Sequence, residues 1–152
     1  MNKHQRGFTL IELVVVIVIL GILAATALPR FVNLQTEARI SSVNGFAGGL
    51  RAAVAVVQSK WIVAGSTAAA TVTTADGQTV AVGTGTGTSG GVPTGAVGGI
   101  EVAIRCSGTD CGGFTAAYGS PSTFRPTNGG SATCQASYDP TNGNVTIATS
   151  GC

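Results

Sequence analysis

Between Phe8 and Leu28 the chain has 21 residues and one ionisable side chain, Glu12. A carboxylate at the centre of a membrane helix costs about 2.5–3.5 kcal/mol, so Glu12 needs a partner or a function that offsets its place in an apolar run. Other reactive side chains are sparse. The single histidine, His4, precedes the run, so no Ser-His-Asp or Cys-His arrangement exists beyond it. Asp76, Glu101, Asp110 and Asp139 are far apart in sequence and read as solvated charges. No His, Asp and Glu cluster has metal-ligand spacing. The expectation is a protein that is not an enzyme and has neither cofactor nor metal. The four cysteines, Cys106, Cys111, Cys134 and Cys152, all lie in the last third. An even number beyond an apolar N-terminal segment reads as disulfides formed in an oxidising compartment. Zinc is the competing reading, but the C-x4-C spacing followed by wide gaps is not a pair of C-x-x-C knuckles. Three pairings are open.

The elements that position these groups begin with the apolar run. At 1.5 Å per residue, Phe8–Leu28 makes a helix roughly 30 Å long, the thickness of a bilayer's hydrocarbon core. Lys3 and Arg6 precede it, which places residues 1–7 in the cytoplasm and the rest of the chain outside. A removable signal peptide is the alternative, with Ala24-Ala25-Thr26-Ala27 as a weak cleavage site. Gly21 and Ala25 form a small-x-x-x-small pair that would let helices approach closely. Pro29 lacks an N–H for the carbonyl of Ala25, so a kink or local opening is expected there. From Arg30 to about Ala64 helical periodicity returns: Val43, Ala47, Leu50, Val54, Val57 and Trp61 alternate steps of four and three and form one apolar stripe. Gly45, Gly48 and Gly49 weaken this helix and suggest bending or close backbone contact; Gly65 is its stop.

Residues 66–152 hold 17 glycines, 17 threonines and only six charged residues. Their alternation and turn signals predict strands. Ala70–Thr74 and Thr79–Val82 flank Asp76-Gly77 as a hairpin. Ile100–Arg105, Ser131–Tyr138 and Asn144–Thr149 read as later strands, with Asp139-Pro140-Thr141-Asn142-Gly143 turning the last pair. Thr84–Gly91 is a low-complexity loop without the Lys-Ser/Thr of a phosphate loop. The fold class is therefore α+β: a long N-terminal helix whose apolar stripe packs on a small antiparallel sheet of about four strands. Beyond residue 7 six basic and six acidic residues balance, and the basic ones are scattered, so DNA is not the expected main partner.

The junction Arg6-Gly7-Phe8-Thr9-Leu10-Ile11-Glu12, running into the apolar segment, resembles the type IV prepilin signature. The resemblance implies four segments: a leader (1–7), a transmembrane and filament-core helix (8–29), its amphipathic continuation (30–65), and a disulfide-bonded β-sheet head (66–152). It implies cleavage between Gly7 and Phe8 by a prepilin peptidase and N-methylation of the new Phe8 amine. That amine is cationic at neutral pH. It lies four residues from Glu12 on one helix, and the resemblance gives Glu12 the role of meeting the amine of a neighbouring subunit during assembly. It also implies loss of helicity at Gly21–Pro29 in the fibre, and Cys134–Cys152 with Cys106–Cys111 as the pairing. The runs Gly90–Ile100, Phe31–Gln35 and Thr149–Cys152 are similar to mannose-sensitive haemagglutinin pilins. The implied partners are further copies in a homopolymeric helical filament, the peptidase and methyltransferase, an assembly platform with its ATPase, and the membrane before assembly. The implied location is the inner membrane, then an extracellular pilus serving adhesion or motility. A minor pilin or type II secretion pseudopilin is the nearest alternative, although no acidic calcium loop is present; a membrane-tethered adhesin or DNA-uptake module is the alternative of another class.

Mass spectrometry of the N-terminus in sheared cell-surface material should find N-methylated Phe8 as the first residue. An intact Met1, or a start after Ala27, would remove the prepilin reading.

Overall fold

The computed structural model describes residues 7–65, 69–84 and 90–152, with the backbone alone for residues 29–33. Lys3, His4 and Arg6, and most of the Gly-Thr run at 84–91, lie outside the described residues. In chain order the elements are α1 (Leu10–Val63), β1 (Thr71–Thr73), β2 (Thr79–Ala81), α2 (Ile100–Ala103), β3 (Phe114–Ala117), β4 (Ser122–Pro126), β5 (Gln135–Tyr138) and β6 (Val145–Ala148). Two compact units result, one ending at Glu37 and the other comprising Ala38–Cys152. The fold is α+β, a long N-terminal helix followed by antiparallel sheets, which is consistent with the type IV pilin fold.

In the second unit the predicted stripe is the core face of the helix. Val43, Ala47, Leu50, Val54, Val57 and Trp61 are all buried. The spacing explains this: steps of four and three keep side chains on one side of a 3.6-residue helix. The upper part of the stripe meets β3–β4–β5–β6, a consecutive antiparallel sheet, through Phe114, Ala116, Phe124, Ala136, Tyr138 and Val145. These residues occupy alternate positions on their strands, as one buried sheet face requires. Phe46 stacks on Phe114 with ring centroids 4.2 Å apart. Lower down, Val57 and Trp61 form a second cluster with Val72, Val80 and Val82, and the Trp61 indole N–H donates to the Ala69 carbonyl at 3.1 Å. The helix ends at Val63, and Gly65 follows at φ 65°, a left-handed turn that glycine adopts without a Cβ clash.

Polar groups in this small core are satisfied. The buried Tyr138 hydroxyl donates to Pro93 O at 2.6 Å, and burial raises its titration well above the ordinary tyrosine range. Between β5 and β6 the Asp139 carboxylate accepts bonds from Thr141 N (2.9 Å), Thr141 Oγ1 (2.7 Å) and Asn142 Nδ2 (2.9 Å). These donors hold its carboxyl below the usual aspartate value.

Three expectations are corrected. Ile100–Arg105 is not a strand but the short helix α2 and its C-terminal turn. Its alternation is also compatible with helix: Ile100, Ala103 and Ile104 fall on one helical face, and all three join the main cluster. The turn is a Schellman motif, with Arg105 N–H donating to Val102 O at 3.1 Å and Cys106 N–H to Glu101 O at 3.0 Å. Arg105 takes the left-handed position, φ 59°, usually held by glycine, and its guanidinium pairs with Asp76 Oδ2 at 2.6 Å. Second, the hairpin β1–β2 is a separate two-stranded sheet, and the four-stranded sheet instead draws on β3 and β4. Third, among the described residues no atom outside their own helix turns lies within 4 Å of a Cβ built on Gly45, Gly48 or Gly49, so no described part of the chain makes the close contact expected at these glycines.

Leu50 is 1 % exposed and Val56 55 % exposed on the same helix. Leu50→Ala should destabilise the head by about 2–5 kcal/mol, while Val56→Ala stays within about 0.5 kcal/mol. Urea unfolding of the full chain in detergent, followed by near-ultraviolet circular dichroism, makes the comparison.

Candidate functional site

Gly7, Phe8 and Thr9 precede the helix, and Phe8 is 88 % exposed. The Gly7–Phe8 peptide bond therefore lies in irregular backbone two residues before Leu10. Thr9 is the N-cap: its carbonyl accepts from Leu13 N at 3.3 Å. Its side chain and that of Glu12 close a reciprocal ring. Thr9 N donates to Glu12 Oε2 at 2.8 Å and Thr9 Oγ1 donates to the same oxygen at 2.7 Å. In return, Glu12 N donates to Thr9 Oγ1 at 3.3 Å. This is a capping box, in which a threonine and a glutamate three residues later satisfy backbone donors that a helix start leaves open. The sequence reading missed Thr9. The Thr-x-x-Glu spacing ahead of an apolar run was the signal available.

Beyond Glu12 the segment has no polar demand. The helix satisfies its own backbone, and the Thr26 hydroxyl donates to Leu23 O at 3.0 Å. Leu10–Leu28 is long and apolar enough to cross a membrane, and none of it is buried among the described residues. Fourteen large apolar side chains between Phe8 and Leu28 are 42–88 % exposed. At about 1.5 kcal/mol each, leaving them in water forgoes on the order of 20 kcal/mol, more than the roughly 5–15 kcal/mol that holds an ordinary domain together. The same figure exceeds the cost of one carboxylate at a membrane helix, about 3 kcal/mol. Glu12 is therefore no bar to insertion. Gly21 and Pro29 both fall inside the helix, and among the described residues nothing outside its own helix turn lies within 4 Å of a Cβ built on Gly21. Leu34–Val63 also passes the length-and-composition test for a membrane span, but it carries the stripe that buries against the head.

The head is held by covalent and charged clasps. Cys134 is bonded to Cys152 across 18 residues and Cys106 to Cys111 across five. Arg39 Nη1 donates to Cys152 O at 2.9 Å, and Arg51 Nη2 to Val145 O at 2.9 Å, fastening the last strand and chain end to the helix. The smaller ring lies along the outer edge of β3, where Ala116 N donates to Thr109 O and Cys111 N to Phe114 O, both at 2.8 Å. An unpaired strand edge invites pairing with another chain, and this ring covers one. Among the described residues no group of three or more His, Cys, Asp or Glu is placed to hold a metal ion.

Residues 2–28 match the model of the prokaryotic N-terminal methylation motif. The chain is 51% identical over 61 residues to the type IV narrow pilus major component PilA5 of Thermus thermophilus, covering 39% of this chain and 53% of that protein. It is 44% identical over 54 residues to the type IV major fimbrial protein FimA of Dichelobacter nodosus (36% of this chain, 35% of that protein). It is 50% identical over 54 residues to the type IV major pilin protein PilE1 of Neisseria gonorrhoeae (36% of this chain, 33% of that protein). The chain thus spans about half the length of the first of these curated relatives and about a third of the other two. No solved structure matches it.

Replacing Cys134 and Cys152 by serine should cost the head about 3 kcal/mol, and replacing Cys106 and Cys111 about 2 kcal/mol, from the entropy of the loops they close. Thermal unfolding of the two double variants gives the order.

Proposed function

We propose that this chain, which carries the type IV prepilin motif at the start of a long helix followed by antiparallel sheets, is a structural subunit of a type IV pilus. The observation that carries the reading is the helix Leu10–Leu28. None of it is buried against the described residues, it begins two residues after Gly7–Phe8, and it holds a single carboxylate, at Glu12. A lipid bilayer accommodates such a helix in the precursor, and a bundle of identical helices accommodates it in a polymer. Repeated head-to-tail contacts whose rotation does not close produce a fibre rather than a ring.

In this reading residues 1–7 are a cytoplasmic leader and 8–29 anchor the precursor in the inner membrane. A prepilin peptidase cuts between Gly7 and Phe8, and the Phe8 amine is N-methylated. An assembly platform and its ATPase extract the chain into an extracellular filament used for adhesion or motility. The Phe8 amine and the Glu12 carboxylate of adjacent subunits neutralise each other in the low-dielectric core, where either charge alone is costly. Gly21 and Pro29 are the positions at which the helix would loosen as the fibre packs or stretches, since glycine lacks a side chain to restrain it and proline lacks a donor. Residues 30–65 join the membrane helix to the head, and the protein has no catalytic role.

The relatives named above are major pilus components, which favours the major-subunit assignment over a minor pilin or a pseudopilin. The relative abundance of this chain in sheared fibres separates those cases.

Glu12→Ala should leave insertion and cleavage unchanged and reduce sheared-fibre yield at least about a hundredfold, the size of an unpaired charge's penalty in a water-poor core. Immunoblots of the membrane pool and the sheared fraction measure both quantities. Fibre yield equal to that of the unaltered chain would remove the charge pairing from the assembly step.

A further inference from the structure

We infer that Thr9 is the positioning residue for Glu12: its hydroxyl and backbone N–H hold the carboxylate by one oxygen and leave the other presented to an incoming amine. The inference rests on the pilus reading above, because it specifies how the assembly carboxylate is aimed.

Both of Thr9's donors converge on Oε2 of Glu12, at 2.8 and 2.7 Å. Among the described residues Oε1 accepts no hydrogen bond. A glutamate has three side-chain torsions, and in a free helix its carboxylate samples a wide arc. Two bonds to one oxygen, together with the return bond from Glu12 N to Thr9 Oγ1 at 3.3 Å, confine that arc before any partner arrives. Binding then pays less to order the side chain, which is the general advantage of preorganisation.

Cleavage does not disturb the arrangement. The Gly7–Phe8 bond lies outside the ring, and Thr9 N remains a peptide N–H after the cut because its bond to Phe8 is intact. The clamp is thus available to precursor and product alike, and cleavage adds only the amine. Removing the Thr9 hydroxyl should cost assembly about tenfold, the size of one hydrogen bond to a charged group.

The test is competitive incorporation. A tagged full-length variant is co-expressed with the untagged chain, and mass spectrometry gives the tagged fraction in sheared filaments relative to the processed membrane pool. Thr9→Val, matched in shape but without the O–H, should be incorporated about tenfold less than the tagged unaltered chain, and Thr9→Ser within about twofold of it. Glu12→Gln should also be depleted, and adding Thr9→Val to Glu12→Gln should deplete it no further, since the hydroxyl then has no carboxylate to aim. The inference is overturned if Thr9→Val enters filaments as the unaltered chain does. It is equally overturned if the double variant falls below Glu12→Gln by the full Thr9→Val factor, for then Thr9 only starts the helix. Absence of any filament from the unaltered chain would instead defeat the pilus reading.

Discussion

The controlling constraint is apolar surface that the chain cannot bury by itself. Phe8–Leu28 exposes more hydrophobic side chain than a domain's net stability could offset, and the head uses its own apolar stripe on its own sheet. The segment must therefore take its surroundings from outside the chain: in the pilus reading proposed above, first lipid and then other copies. Neither environment offers a large hydrophobic advantage over the other, since lipid tails and helix side chains are comparably apolar. Transfer between them turns on packing and on polar groups. In that reading one carboxylate and one amine govern a step involving some twenty hydrophobic residues.

The head answers a different demand. It is built from a glycine- and threonine-rich stretch with few large side chains, and a core of that size is marginal without cross-links. Cys134–Cys152 ties the chain end to the start of β5, and Arg39 and Arg51 fasten the same region to the helix from the other side. The second disulfide covers a strand edge. In the filament proposed above, a blunted edge favours association through helices over uncontrolled sheet-to-sheet pairing.

What could be read in the sequence followed from how redundant each signal was. The stripe from Val43 to Trp61 repeats over five helical turns, and every member proved buried. Two turn motifs, Asp76-Gly77 and Asp139–Gly143, placed their hairpins because glycine accepts the positive φ each needs, 82° and 76°. Ile100–Arg105 failed because six residues with apolar side chains at alternate and at i, i+3, i+4 positions satisfy both periods; burial against two clusters decided the matter. β3 and β4 are hard to read because Ala116, Ala117, Ser122 and Pro126 carry little strand signal, and the packing of Phe114 and Phe124 on Phe46 joins residues far apart in sequence. At the N-terminus the carboxylate was conspicuous while its hydroxyl partner was not. Threonine beside a membrane segment looks ordinary until hydrogen-bond geometry joins it to Glu12.

Several charges outside the apolar segment are spent locally. Asp139 is saturated by Thr141 and Asn142, Asp76 by Thr74 and Arg105, and Arg39 and Arg51 by backbone carbonyls. Without residues 1–7, six basic side chains balance six acidic ones. For a monomer in solution such neutrality favours association, ordinarily a liability. In a polymer of identical units it is an asset: any net charge per subunit would recur along the fibre within a few Debye lengths, and its self-repulsion would accumulate with every copy added. In the filament proposed above, a chain whose charges balance beyond residue 7 lets the helix bundle decide how tightly subunits pack, and the Phe8–Glu12 pair is the electrostatic term acting where water does not screen.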